Sequence, residues 1–459
     1  MADRTATAPA ERLSLSAKLA FGAGDLSPAI AALIPSFFQF FFLTTVAGLN
    51  PLLAGSVRAI LTIWDAVNDP VIGWLSDRTR SRMGRRRPWI FYGAVPFGII
   101  YFLQWVVPPF GDTGKFIYYL VVGLLFNIAY TAVNVPYTAL TAELTQDYDE
   151  RTSLNAFRFA FSIGGSLVAG VLHPLIVGRF AEVTTGYLVS GAVWGGLCIL
   201  PFFWCVAGTR ERFKADDESA AMGIIEQFRT AFANRPYLFV IGIYLFSWLA
   251  VQFTSSILVP YVTFWLKQPQ LIPLMLLAVQ GSAFVCLFFW NAVSRRLGKK
   301  AVYMIGMVFW IGVQAALFFV QPDQSNLALF LAALAGVGVA TAYIVPWSMM
   351  PDVIEYDELR TGQRREGVFY GLMVLLQKFG LAAGQFIIGL VLQLAGYIST
   401  EGQTPTTQPD SALFAIRLLI GPIPTVILIL GMITTAFYPL TKQKHAEIMA
   451  ELARRKAQS

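Results

Sequence analysis

Residues 52–87 read LLAGSVRAILTIWDAVNDPVIGWLSDRTRSRMGRRR. The apolar part, residues 52–76, exceeds the roughly 20 residues with which a helix crosses a bilayer. Arginines crowd the end of the stretch, and loops rich in arginine and lysine stay on the cytoplasmic side of a membrane. The stretch therefore predicts a membrane helix that ends at the cytoplasm and carries Arg58, Asp65 and Asp69 within the span.

The composition of the whole chain agrees with a membrane protein. Of its 459 residues, 56% are hydrophobic and 13% are charged, whereas a soluble domain keeps about 25% charged residues. The net charge of +7 comes from loop residues, so we read it as a topology signal and expect no nucleic-acid partner. Cys198, Cys205 and Cys286 lie in apolar segments and indicate neither disulfides nor a metal site. The polar start, Met1 to Lys18, lacks the apolar core of a cleavable signal peptide.

Twelve segments are long and apolar enough to span a bilayer. Inside lipid each must satisfy its own backbone hydrogen bonds, which favours helices over the short alternating strands of a barrel. The sequence thus predicts an all-α polytopic membrane protein with twelve transmembrane helices. Their predicted ranges are 18–46, 52–76, 88–108, 115–141, 153–178, 187–208, 236–266, 271–294, 301–320, 326–350, 367–396 and 411–439.

Positive charge alternates from loop to loop. Arginine and lysine cluster after the second, sixth, eighth and tenth predicted helices and in the C-terminal tail. The opposite loops hold Lys115, Arg179 and Lys267 almost alone. The charge bias and the even helix count both predict cytoplasmic termini, in a multi-pass protein of the plasma membrane, which is the inner membrane in a bacterium.

The chain repeats itself about its middle. SRMGRR at 81–86 returns as RRLGKK at 295–300, and VPY at 135–137 returns as VPW at 345–347, at almost the same offset. Parallel repeats of this kind build the two pseudo-symmetric six-helix halves of the major facilitator fold, with the substrate site between them. We expect the protein to be a monomer. The predicted parts are a half at 1–208, a cytoplasmic linker at 209–235, a half at 236–440 and a cytoplasmic tail at 441–459.

Asp65 and Asp69 are four residues apart, so both carboxylates project from one helix face. Two adjacent carboxylates repel unless a cation or a shared proton lies between them. Oxygen-rich geometry suits Na⁺, to which Asn68 would add an oxygen. The pattern predicts a site for Na⁺ or H⁺ as the coupling ion, with no other cofactor. The alternative is that Asp69 ends a helix before Pro70 and pairs with a loop arginine.

Other charged residues inside the spans should face a cavity and have partners, because a charge at the bilayer centre costs about 2.5–3.5 kcal/mol. Lys378 is predicted to pair with Asp65 or Asp69 across the halves and couple them; otherwise it snorkels. Asp25 is predicted to bind substrate hydroxyls, with Arg158 as its partner; otherwise it is a charge near a helix end. Arg58 lies seven residues before Asp65 and is predicted to serve as a counter-ion.

Polar and aromatic residues line two further predicted helices. Tyr130, Thr131 and Asn134 form a stripe on the fourth, and Tyr343 and Trp347 stand on the tenth. Aromatic rings stack on sugar faces, but they also serve as packing residues. We predict that these side chains face the substrate.

Acids and bases in the inner loops are predicted to form a cytoplasmic gate. Isolated exposed pairs stabilise by only about 0–1 kcal/mol, so such pairs matter only if their partners change during transport. The gate candidates are Arg151, Asp352, Glu355 and Arg364.

The segment Trp64-Asp65-Ala66-Val67-Asn68-Asp69-Pro70, with the arginine-rich loop after it, resembles the glycoside–pentoside–hexuronide:cation symporters. FGAGD at 21–25, NAFR at 155–158 and QKFG at 377–380 are similar to motifs of the same family, so the resemblance covers nearly the whole chain. It implies that Asp65 and Asp69 are cation ligands with Thr131 and Lys378 nearby. It also implies that Asp25 and Arg158 belong to the sugar site.

Three positions depart from that family. Its sugar-binding aspartate is Asn134 here, an aromatic residue is Thr138, and an arginine is Thr62. Asn134 can still hydrogen-bond a hydroxyl, so it stays among the predicted substrate residues.

A second resemblance concerns VPWSMMPDVI at 345–354 and VPYTAL at 135–140. Both are similar to the sodium-dependent lysophosphatidylcholine symporter branch of the same superfamily, which shares the aspartate and lysine motifs. The two resemblances agree on the coupling machinery and differ on the substrate.

Together the residues predict a cation-coupled symporter of a sugar or glycoside that works by alternating access. The alternatives are a cation-coupled carrier of lysophospholipid, and an uncoupled facilitator or exporter. We expect no enzyme, because the sequence lacks a phosphate loop, a nucleophile elbow and metal-ligand spacing, and His173 and His445 are its only histidines.

Overall fold

Each apolar segment predicted from the sequence forms a helix or a broken helix. The structure, a computed structural model, describes residues 13–213, 224–402 and 407–458. Helices in the described chain are α1 (Leu15–Ala23), α2 (Leu26–Ile34), α3 (Pro51–Asp77), α4 (Arg87–Leu103), α5 (Asp112–Leu144), α6 (Tyr148–Val177), α7 (Val183–Gly208), α8 (Ile224–Phe232), α9 (Arg235–Pro260), α10 (Ile272–Leu297), α11 (Lys299–Phe319), α12 (Ser325–Thr361), α13 (Glu366–Leu394), α14 (Asp410–Ile420), α15 (Pro422–Ala436) and α16 (Lys442–Gln458).

Ten helical stretches of the described chain are long and apolar enough to cross a membrane. They include α1 with α2, and α14 with α15, each pair as one broken span. Of the other two predicted spans, α3 has 27 residues but carries three charges in its interior, and α4 has 17 residues. At 1.5 Å per residue even α4 covers about 25 Å, most of a hydrocarbon core.

The first predicted span, 18–46, is not one continuous helix. Gly24 and Asp25 separate α1 from α2, and two π-helical turns follow at Pro35–Gln39 and Phe42–Val46. A Cβ atom on Gly24 would lie 2.4 Å from the ring of Tyr137, whose hydroxyl donates to the Phe21 carbonyl at 2.8 Å. The break thus lets α5 approach α1 and turns Asp25 inward.

The tenth predicted span ends later than expected. The prediction placed its end at 350, but α12 continues to Thr361. The helix can carry acids there because they have partners: Asp352 pairs with Lys299 at 2.6 Å, and Asp357 pairs with Arg365 at 2.7 Å. The C-terminal helix α16 packs on this extension, with Ile448 and Leu452 buried.

The two halves meet along α3 and α13, and again along α6 and α10. The tightest crossing is at Gly55 and Gly389, near the face of the bundle where α3 begins and α13 ends, which we call the outer face. A Cβ atom on Gly389 would lie 2.4 Å from the Pro51 carbonyl oxygen, and one on Gly55 would lie 2.7 Å from that of Gln385. Only glycine permits this approach of the two backbones.

Hydrogen bonds close the outer face across the halves. The hydroxyls of Thr45 and Tyr397 are 2.8 Å apart, and the amide of Gly402 donates to the Val46 carbonyl at 2.9 Å. Lys115 pairs with Glu401 at 2.8 Å. Towards the opposite, inner face, α13 leaves Gly371 exposed. Apart from its chain neighbours and the backbone of its own helix, no atom of the described chain lies within 4 Å of where its Cβ would stand. In the described chain the halves are therefore joined by hydrogen bonds at the outer face, while α13 is uncovered at Gly371 towards the inner face.

A pair of matched substitutions tests this packing. Gly389→Ala inserts a methyl group into a backbone-to-backbone contact, and overpacking of this kind costs about 1–3 kcal/mol. We expect it to lower the apparent melting temperature of the purified protein by several degrees. Gly371→Ala, on the same helix but in open space, should leave it unchanged or raised, since alanine favours helix. Equal effects of the two substitutions would contradict the close crossing.

Candidate cation and substrate site

Lys378 of α13 lies between two carboxylates of α3, at the contact of the two halves. Its Nζ is 2.8 Å from Asp65 Oδ2 and 2.6 Å from Asp69 Oδ2, and it also donates to the Asp65 carbonyl at 3.1 Å. Thr131 of α5 donates to Asp69 Oδ1 at 2.9 Å. We call these four residues the coupling cluster. Lys378 thus pairs with both aspartates, as predicted.

The local fold explains the arrangement. α3 continues through Pro70 to Asp77, so Asp65 and Asp69 keep helical spacing and share a face. Asp69 therefore does not end a helix, and its partner is Lys378 rather than a loop arginine.

The coupling cluster is charged and reachable. Two carboxylates and one ammonium carry a net charge of −1, which one monovalent cation would neutralise. The side chains of Asp65 and Asp69 are 28% and 38% exposed, so an ion can reach their oxygens. Carboxylate and hydroxyl oxygens suit Na⁺, and the carboxylates equally accept a proton.

Two residues predicted near the cation have other partners. Asn68 is buried and donates its amide to the Asn127 carbonyl at 3.0 Å, so it fastens α3 to α5. Arg58 was predicted as a counter-ion to Asp65, but its Nη1 donates to the Pro35 carbonyl at 2.8 Å and to Gln39 at 3.1 Å. Lys378 takes the counter-ion role instead.

Asp25 and Arg158 form an ion pair, as the sequence predicted. Asp25 Oδ2 is 3.1 Å from Arg158 Nε, and the carboxylate is largely buried. The Arg158 guanidinium also lies 5.7 Å from the centre of the Tyr137 ring. The break between α1 and α2 gives this carboxylate its position.

A cavity of about 320 Å³ lies between the halves, on the outer side of the coupling cluster. Asp65 and the predicted Tyr130 line it, together with Arg58. Amide side chains missed by the sequence reasoning complete the lining. They are Gln39, Gln104, Asn127, Gln252 and Gln385. Their signal was present in the sequence, since an amide inside an apolar span needs a polar neighbour.

The other predicted substrate residues lie outside this cavity. Tyr343 lines a smaller cavity between α6 and α10, and its ring packs on Trp248 at 5.4 Å. Trp347 stacks on Tyr370, with ring centres 5.8 Å apart. Asn134 is half-buried on α5, one turn beyond Tyr130 towards the inner face. A role for these three in substrate binding stays a prediction.

The four gate candidates each contact their own half in this conformation. Arg151 donates to the Thr145 carbonyl at 2.9 Å, and Arg364 pairs with Glu358 and Glu366. Asp352 pairs with Lys299, and Glu355 accepts from His445 at 2.5 Å. A gate between the halves stays a prediction for another conformation.

Comparison with known proteins gives the family. The model of the family described as MFS/sugar transport protein matches residues 20–442. The uncharacterized symporter sll1374 of Synechocystis sp. is 43% identical, over 97% of this chain and 98% of that protein. The sodium-dependent lysophosphatidylcholine symporter 1 of Gallus gallus is 29% identical, over 95% of this chain and 89% of that protein.

The fold has a solved counterpart. The crystal structure of nucleoside transporter NupG (D323A mutant) superposes with a TM-score of 0.67 at 16% identity, covering 92% of this chain and all of that one. This likeness confirms the predicted major facilitator fold. With the family match over most of its length, the chain belongs to the MFS/sugar transport protein family.

Proposed function

We propose that this protein is a secondary transporter that couples the entry of a sugar or glycoside to Na⁺ or H⁺ by alternating access. The observation that carries the proposal is Lys378 of one half held by Asp65 and Asp69 of the other. Charged side chains inside a membrane cost free energy, so a cluster of them indicates a functional site. Hydrogen bonds across the halves close the outer face, which supports an inward-facing state of such a carrier.

The coupling follows from competition for the same oxygens. A cation bound by Asp65, Asp69 and Thr131 would weaken the ion pairs that the two carboxylates form with Lys378. These ion pairs connect the two halves. Cation binding thus changes the contact on which the movement of the halves depends.

The cavity beside the cluster is the proposed substrate site. Its amide groups both donate and accept hydrogen bonds, as sugar hydroxyls require. Its volume of about 320 Å³ stands at the small end of ligand pockets, which run from about 300 to 1,000 Å³. Sugar transport also agrees with the description of the family.

One relative of this chain is a lysophosphatidylcholine symporter, so a lysophospholipid is a second candidate substrate. A lysolipid needs room for a long acyl chain, which the cavity alone does not offer. Thermal stabilisation by lysophosphatidylcholine and not by any sugar or glycoside would favour this second candidate.

Neutralising the cation ligands is the first test. Asp65→Asn and Asp69→Asn should each abolish the stabilisation of the purified protein by NaCl at constant ionic strength, because ligands of the native state raise its stability by mass action. They should also abolish cation-driven uptake into vesicles. Asp112→Asn, which changes an exposed carboxylate at the outer end of α5, is the matched control. Full coupled uptake by Asp65→Asn would overturn the proposal.

Removing the competing ammonium is the second test. Lys378→Gln takes away a positive charge 2.6 Å from Asp69 and leaves the cluster at −2. We expect Na⁺ to stabilise this variant at a concentration at least about tenfold lower than it does the wild type, since 1.4 kcal/mol is tenfold in affinity and close charges exceed that. Net uptake should fall, because the bound cation is released slowly. A weaker response to Na⁺ than that of the wild type would show that Lys378 does not compete with the ion.

A further inference from the structure

The two copies of the internal repeat form similar helix starts at the inner face. Gly84 and Gly298 occupy the same position of the repeat, and both have a positive φ, of 106° and 83°. In the first copy the backbone amides of residues 85–87 donate to the carboxylate of Glu211 at 2.6, 2.8 and 3.0 Å. Amide groups at the start of a helix favour an anion. The first half thus supplies its own anion to the start of α4.

The second copy has the helix start without the carboxylate. The matching backbone amides, of residues 299–301 at the start of α11, have no acceptor among the described residues. The first turn of α11 contains no acidic residue. The segment after α15, which corresponds to the one that carries Glu211 after α7, reads FYPLTK at 437–442 and contains no acid either. An anion for this helix start would therefore come from outside the described chain.

A cavity of about 790 Å³ opens at the start of α11, and we call it the inner pocket. The α10–α11 loop, α12 and the start of α16 contribute to its walls. Its lining includes four basic residues and one acid, which are Arg295, Lys299, Lys300, Lys442 and Asp352. Lys299 holds Asp352 at 2.6 Å, and His445, which also lines the pocket, is paired with Glu355. With His445 neutral, these four cations and one carboxylate give the lining a net charge of +3.

Two of the lysines in the inner pocket contact uncharged groups. Lys300 Nζ donates to the Ala436 carbonyl at 2.7 Å, and Lys442 Nζ donates to the Arg295 carbonyl at 2.8 Å. Lys442 also lies beside the helix start, because its Cβ is 3.6 Å from where a Cβ on Gly298 would stand. Both ammonium groups can therefore turn to an anion without leaving a carboxylate unpaired.

Tyr438 is an independent sign of a ligand in the same pocket. The residue is 2% exposed and lines the inner pocket. Its hydroxyl is buried and has no hydrogen-bond partner in the part of the chain that the structure describes. Since buried polar groups are normally hydrogen-bonded, this phenol points to an acceptor that arrives with a ligand.

The apolar side of the inner pocket leads to the membrane. Leu297, Met304 and Leu440 belong to its lining. Leu297 is 55% exposed, and the next turn of α11 presents Ile305 and Val308, which are 47% and 58% exposed. Basic pockets at the cytoplasmic ends of membrane helices suit anionic lipid head groups. A ligand with a charged head and apolar chains would fit both sides of this pocket.

We infer that the inner pocket binds an anionic phospholipid of the cytoplasmic leaflet through its phosphate group. The phosphate oxygens accept from the amides of residues 299–301 and from the Tyr438 hydroxyl, and they pair with Lys300 and Lys442. The lipid takes the place that Glu211 has in the first half. It connects α11 to the C-terminal helix α16 through Lys442. The inference goes beyond the proposed function, since it involves neither the coupling cluster nor the central cavity.

The test measures how lipids stabilise the delipidated, full-length protein in detergent. The probes are phosphatidylglycerol, phosphatidylcholine with the same acyl chains, and inorganic phosphate, at constant ionic strength and NaCl. We expect phosphatidylglycerol to raise the melting temperature and the other two not to. Its half-effective concentration should rise about tenfold in Tyr438→Phe, which loses a hydrogen bond to a charged group. In Lys442→Gln it should rise about fivefold, the share of one basic residue.

Two matched variants control for position. Tyr101→Phe removes another buried hydroxyl without a partner in the described chain, on α4, and Lys444→Gln removes an exposed lysine of α16 that pairs with Glu447. Both should keep the wild-type response to phosphatidylglycerol. Without lipid, Tyr438→Phe should melt at or above the temperature of the wild type, because its hydroxyl has no partner within the described chain.

Three results would overturn the inference. One is equal stabilisation by phosphatidylcholine, and another is stabilisation by inorganic phosphate that matches that by phosphatidylglycerol. The third is an unchanged phosphatidylglycerol response in Tyr438→Phe, which decides the matter even if Lys442→Gln fails to fold. Stabilisation by NaCl, measured in every variant, reports the proposed cation site separately and should not change.

Discussion

A charge inside a membrane must be matched, and this constraint accounts for the centre of the protein. Lys378 is tolerated in α13 because Asp65 and Asp69 of the opposite half surround its ammonium. The two carboxylates are tolerated four residues apart because Lys378 separates them. The three charges do not cancel, and the net charge of −1 is the basis of the proposed cation site.

The close crossing of α3 and α13 brings Lys378 within reach of Asp65 and Asp69. Gly55 and Gly389 let the two backbones touch near the outer face, and Lys378 lies eleven residues before Gly389 on the same helix, towards the inner face. The central cavity lies between crossing and cluster, so the proposed substrate site and the proposed cation site are neighbours.

Much of this could be predicted from the sequence, because bilayer thickness and loop charge constrain membrane helices strongly. The spacing of Asp65 and Asp69 and the need of Lys378 for carboxylates led to the pairing that the structure contains. The break at Asp25 and the extension of α12 to Thr361 could not be predicted, since both depend on tertiary partners. Arg58 and the cavity amides were misjudged or missed for the same reason: helical spacing shows which face a residue is on, but not what lies opposite.

The most direct measurement is the number of Na⁺ ions bound per chain at equilibrium, determined by calorimetric titration of the purified protein in sodium-free buffers of different pH. We expect one monovalent cation per chain. Na⁺ and protons should compete for the same carboxylates, so that acidification weakens Na⁺ binding or protons take its place entirely. The absence of both Na⁺ binding and proton exchange at any pH at which the protein is folded would contradict the claim that Asp65, Asp69 and Lys378 form a cation-coupling site.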